Sequence, residues 1–155
     1  MKKFAMIGAL AGICSATLAA HAQTATEPNV QYIYGVFHID QGIVTPLEDK
    51  VLSRGNSKHR LCWSVASSTP VFNQTIAVTE QFTSPVGASF SNASGAATKS
   101  AGGTQHTLQS NLRSIANSAA QNCWKFDSTD PIGKYSIAVT VENVQLPAFE
   151  FEVSY

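Results

Sequence analysis

The feature that most constrains this chain is the strict alternation at its end. Phe149, Phe151, Val153 and Tyr155 are separated by Glu150, Glu152 and Ser154. Successive side chains of a strand point to opposite faces, so this pattern requires one buried face and one wet face. A second alternating run precedes it, with Tyr135, Ile137, Val139 and Val141 at odd positions between Tyr135 and Val144. Together the two runs predict an antiparallel hairpin on a hydrophobic core. The chain stops on Tyr155, so the last strand is expected to close the sheet, with Glu150 and Glu152 guarding its edge.

Upstream, the same period recurs. Phe72, Ile76, Val78 and Phe82 fall on even positions of a strand, with Gln74 and Glu80 as polar interruptions. Val30 to Ile39 reads as the first strand, and Gly35 within it as a bulge or a close approach. Leu61 to Val65 and Cys123 to Phe126 read as short strands, and Pro46 with Glu48 to Lys50 as a surface connection. Residues 84–120 are rich in Ser, Gly, Ala and Thr, which predicts a long loop with a mobile middle. Phe90, Leu108, Leu112 and Ile115 are its anchors, the last three fitting a short helix or a frayed strand.

The N-terminus reads differently. Lys2 and Lys3, an apolar run from Phe4 to Leu18 and the sequence Ala20-His21-Ala22 form a secretory signal cleaved before Gln23. About 15 apolar residues are too few for a membrane span, which needs roughly 20. The organisation expected is therefore a signal peptide over 1–22, a polar tail over 23–29 and one domain over 30–155. Loss of Lys2 and Lys3 leaves 8 basic against 10 acidic residues, a net charge of about −2. That leaves no basic footprint for nucleic acid and no stable membrane anchor after cleavage.

Of three cysteines, Cys14 leaves with the signal. Cys62 and Cys123 remain as an even pair in a periplasmic or secreted protein, where disulfides persist. One bridge is expected; two free thiols are the competing reading. Each cysteine is followed by a tryptophan, Trp63 and Trp124, so a bridge should bring both indoles close to it.

The run Asp130-Pro131-Ile132-Gly133-Lys134-Tyr135, followed by the two alternating strands, resembles the C-terminal part of immunoglobulin-like β-sandwich modules. In such modules an Asp-x-Gly-x-Tyr turn carries a tyrosine corner. The resemblance implies a mainly β, antiparallel immunoglobulin-like β-sandwich, with Tyr135, Asp130 and Gly133 in structural roles. Here the turn is one residue longer, and Ile137 holds the place of the usual second cysteine. A Cys62–Cys123 bridge would therefore not be the usual inter-sheet one. The resemblance carries no activity.

No motif carries chemistry. His38, His59 and His106 lack metal-ligand spacing, and the Gly-x-Ser-x-Gly elbow and phosphate loop are absent. No cofactor, metal or catalytic residue is expected. The function expected is that of a non-enzymatic exported protein whose partner is another exported protein. Arg54, Lys58 and Arg60 around Gly55-Asn56-Ser57 are the candidate binding residues, alongside a solvated hairpin tip as the plainer reading. One alternative is a periplasmic inhibitor or immunity protein that plugs a toxin or hydrolase with the Ser/Gly loop, Lys99 being its key. Another is a structural or accessory subunit of a surface assembly, joined by strand addition, which needs an unguarded edge.

Overall fold

The computed structural model describes residues 30–155. The signal peptide and the tail expected over 1–29 lie outside them.

Thirteen strands build the described chain. They are β1 (Val30–Asp40), β2 (Ile43–Pro46), β3 (Val51–Ser53), β4 (His59–Ser67), β5 (Thr75–Thr83), β6 (Ser91–Asn92) and β7 (Gly95–Ala96). Then come β8 (Thr98–Lys99), β9 (Gln105–Arg113), β10 (Ala119–Trp124), β11 (Gly133–Val141), β12 (Val144–Gln145) and β13 (Phe149–Ser154). One sheet has four strands in the order β10-β4-β1-β2. The other runs β3-β13-β11-β5-β9-β8, with β12 beside β11. All pairings are antiparallel except the parallel match of β3 to β13.

The alternation predicts the inner faces. Ile137, Val139 and Val141 of β11, Ile76, Val78 and Phe82 of β5, and Leu61, Trp63 and Val65 of β4 are all buried. They form one core between the sheets. The fold is a β-sandwich with one disulfide, Cys62–Cys123.

Three expectations change. First, β13 is an edge only over its first half: β3 pairs along Glu152–Ser154 on its outer side, leaving Phe149–Phe151 without a strand beside them among the described residues. Glu150 and Glu152 are exposed on the wet face, and only Glu150 lies on the uncovered stretch. Second, the long Ser/Gly-rich loop carries short two-residue ladders, and of the two readings of Leu108, Leu112 and Ile115, helix or strand, the strand holds for the first two: β9 has nine residues and pairs along β5 from Thr75 to Thr83. A single large side chain explains much of this order. Phe90 is buried and stacks on Phe82 at 4.2 Å, with edge contacts to Trp124, Phe126, Tyr135 and His106. The long connection from β5 to β9 is thus pinned at its middle.

Third, the tryptophans do not pack on the disulfide. Cys62 and Cys123 face each other across β4 and β10, on the outer side of the four-stranded sheet, where Cys123 is exposed. The next residue on each strand points the opposite way. Trp63 and Trp124 are therefore buried in the core. There both indoles donate to one carboxylate oxygen, Glu80 Oε1, at 2.6 and 2.8 Å. Asn122 Nδ2 adds a bond at 3.1 Å. The staple and the polar knot thus lie on opposite sides of the same strand pair.

Candidate functional site

The basic loop comes first, because residue type pointed to it. Arg54 follows β3, and its guanidinium donates to the Asp130 carbonyl and lies 4.9 Å from the Tyr155 ring centroid. Lys58 forms an ion pair with Asp40 at 2.6 Å, which holds the Asp40 carboxyl below the usual range. Arg60 donates to the carbonyls of Ser57 and His59 at 2.6 and 2.7 Å. Each cation already has an intramolecular partner. Lys99 lies on β8, at the opposite edge of the larger sheet from β3, and donates to the Ala88 carbonyl at 3.0 Å. The four residues do not converge on one surface.

Arg54 instead belongs to the corner. The Tyr135 hydroxyl donates to the Pro131 carbonyl at 2.6 Å, and Asp130 Oδ2 accepts from the Asp127 amide at 2.8 Å. Burial raises the Asp130 carboxyl above its ordinary value. Burial also pushes the Tyr135 phenol up to about 12. Gly133 takes a φ of +137°, a conformation open to glycine and hostile to other residues.

The histidines hold no chemistry together. His38 and His59 meet edge to face at 5.6 Å, and burial lowers the His59 imidazole. His106 is buried, with Nε2 2.8 Å from Ser84 Oγ. That hydroxyl also lies 3.0 Å from the Pro85 carbonyl, which can only accept. In the arrangement that satisfies both contacts, the serine proton goes to the carbonyl and Nε2 is the donor. A general base would need a lone pair there. This Ser-His contact is therefore structural, and among the described residues no group of three His, Cys, Asp or Glu side chains could hold a metal ion.

What stands open is the β1 side of the four-stranded sheet. β2 pairs only with Phe37–Asp40. From Val30 to Gly35 that edge has no strand beside it among the described residues. Successive residues turn their amides to opposite sides. Ile39 N–H reaches Lys58 on the β4 side, whereas the Val36 carbonyl accepts from Leu47 on the other. Val30, Tyr32 and Tyr34 share the parity of Val36, so their N–H and C=O groups face outward along the open edge.

The edge is also unusually uncharged. Val30-Gln31-Tyr32-Ile33-Tyr34-Gly35-Val36 contains no ionisable group except the two phenols. Tyr32 is 50% and Ile33 60% exposed, and Ile43 and Val44 of β2 are 69% and 56% exposed. Outward from it, the face of the sheet carries Ile33, Phe37 and the disulfide, with Arg60 as its sole charge. Gly35 fits because the Phe37 ring lies across it; a Cβ there would sit 2.6 Å from Phe37 Cζ. By contrast, the outer face of β11 and β13 bears Lys134, Glu150 and Glu152. Proteins normally blunt open edges with charge, proline or short length. Other edges are shorter or end on a charge or a proline: β3 has three residues, β8 two and β2 four ending on Pro46, the part of β9 beyond β8 runs from Leu108 into Arg113, and β10 runs into Lys125 beside a recess shared with Ser91 and Asn92. Sequence reading passed over this edge, although the uncharged run was visible in it.

Comparisons with known proteins agree on the fold. The family model described as the PM0630 beta sandwich domain matches residues 32–154. An immunoglobulin-like protein from Pseudomonas aeruginosa superposes with a TM-score of 0.51 at 12% identity, over 83% of this chain and 99% of that one. The DNA glycosylase AlkC of Pseudomonas fluorescens gives 0.43 at 14% identity, over 83% of this chain but 31% of its own. A β-glucosidase from Listeria innocua gives 0.42 at 10%, over 83% and 16% respectively. No curated protein matches. The immunoglobulin-like likeness expected from the Asp130–Tyr135 turn is present, at the level of fold alone.

Proposed function

The chain belongs to the PM0630 beta sandwich domain family, and from that premise we propose that it is a non-enzymatic exported module working through protein–protein contacts in the periplasm or outside the cell. One observation carries the reading: the open edge of β1, Val30–Gly35, is uncharged and continuous with exposed apolar side chains. An extended partner strand can pair there through main-chain bonds, with side-chain pockets giving selectivity. The cations that could have formed an ionic docking site are bound internally, as is the one Ser-His contact. An exposed disulfide between neighbouring strands suits an oxidising compartment.

The test is binding of the immobilised mature chain to exported protein from the host. Saturable capture should be lost in Ile33→Lys and kept in Gln81→Lys, which places the same charge on the outer face of the other sheet. Capture that survives Ile33→Lys would refute the assignment of this edge. Export is checked by the mass of mature protein, which should begin at Gln23.

A further inference from the structure

The open edge has a symmetry that bears on what pairs with it. Val30-Gln31-Tyr32-Ile33-Tyr34-Gly35-Val36 is nearly palindromic about Ile33. Val30 mirrors Val36 and Tyr32 mirrors Tyr34; only Gln31 and Gly35 break the match. An antiparallel strand paired with its own copy about a two-fold axis sees its sequence reversed. A palindrome thus presents like to like.

Resting on the protein-contact reading above, we propose that the partner at this edge is a second copy of the chain, with β1 strands paired antiparallel about Ile33.

The amide parity supports this register. A two-fold axis at Ile33 sets Tyr32 opposite Tyr34 of the second copy, and Tyr34 opposite its Tyr32. All four residues turn their N–H and C=O groups to the open side, so each pair exchanges both main-chain bonds. An axis between two residues would set outward-facing amides against inward-facing ones and lose them. Ile33 itself falls at a non-hydrogen-bonded position, where the paired Cα atoms approach to about 4.5 Å. Its 60%-exposed side chain then meets its own copy. With no charge between Val30 and Val36, self-pairing brings no like charges together.

The contact is isologous and closes on itself as a dimer. It unites two four-stranded sheets into one, and it ends at Val36, whose outward carbonyl is already taken by the Leu47 amide, so the shared ladder runs from Gln31 to Gly35. Short edge pairing of this kind lies at the small, weak end of protein interfaces. Dissociation on dilution is therefore expected.

Covalent trapping tests the register. In Ile33→Cys, the paired Cα atoms fall in the range that disulfides span, about 4.4–6.8 Å. Mild oxidation should give a reducible dimer in high yield, with Gln81→Cys as the control giving little. Sedimentation of the unmodified chain should show mass rising toward twice that of the monomer with concentration. Ile33→Lys should abolish the rise. Tyr32→Pro should also do so, because it deletes an N–H that has no partner strand among the described residues; if that variant fails to fold, oxidative trapping of Ile33→Cys decides. A chain monomeric at every concentration, with Ile33→Cys trapping no better than Gln81→Cys, overturns the second-copy inference. So does a dimer that survives both Ile33→Lys and Tyr32→Pro. The wider reading fails separately, only if Ile33→Lys leaves capture of exported protein unchanged.

Discussion

Replacing Glu80 tests whether the buried carboxylate organises the core. It is fully buried and receives both indole N–H groups on one oxygen, at 2.6 and 2.8 Å. Glu80→Leu has similar volume and leaves no room for a replacing water. It strands two buried donors, each at about 1–3 kcal/mol, against a transfer gain of about 1.5–3 kcal/mol for the new side chain. The net loss expected is about 1–3 kcal/mol. With a urea slope of about 1–3 kcal/mol/M, the midpoint falls by roughly 1 M. Because the two effects oppose, the sharper quantity is the coupling to Trp63. Trp63→Phe removes a charge-assisted bond when Glu80 is present and an orphaned donor in the Glu80→Leu background. A double-mutant cycle read by far-UV circular dichroism should therefore give a coupling of about 2.5–6 kcal/mol, the bond's about 1.5–3 kcal/mol plus about 1–3 kcal/mol for the relieved donor. A coupling under about 0.5 kcal/mol would refute the idea that this carboxylate ties the sheets together.

The corner and the staple give further expectations. Tyr135→Phe should cost about 0.5–1.5 kcal/mol, the net worth of one hydrogen bond, measured by denaturant unfolding; Arg54→Ala should lower the cost of that substitution if the two act as one unit. Reducing Cys62–Cys123, which spans 61 residues, should cost about 4 kcal/mol in the chain-entropy model, seen as a lower thermal midpoint with dithiothreitol. Burial, and then the nearby Lys99 charge, lower the His106 imidazole. The unfolded chain thus takes up the proton first, and stability present above about pH 6.5 is lost as pH falls toward the depressed folded value. The drop should shrink in His106→Gln. His59, lowered mainly by burial, adds in the same direction.

Much of the fold was legible because period two is a direct readout of a half-buried sheet. The hairpin of β11 and β13 follows from it residue by residue. The same rule, applied strictly, would have found Glu80. It shares even parity with Ile76, Val78 and Phe82, and so belongs to the buried face; treating it as an interruption hid the most buried charged side chain of the described chain. Parity also separates each cysteine from its tryptophan, since adjacent strand residues cannot face the same way. The ordering of residues 84–104 was not legible. It depends on Phe90 meeting Phe82 and Trp124 across the core, contacts that composition does not encode.

The two sides of the small sheet are treated unequally, and the difference has a physical sense. On one side β10 is tied to β4 covalently on the outer face by Cys62–Cys123 and electrostatically on the inner face by Glu80 with Trp63, Trp124 and Asn122. On the other side β1 is held to β4 by its ladder and to β13 of the facing sheet by the Tyr34–Phe149 stack at 5.6 Å. β1 then leaves its far edge without a paired strand from Val30 to Gly35 among the described residues. A pairing strand needs a template that does not fray when it is engaged. Because β4 is anchored through β10, the ladder that carries β1 starts from a fixed strand. If β1 pairs as proposed, stiffness on the stapled side keeps the open side a defined surface, so weakening the staple should weaken edge pairing without touching a residue of the edge.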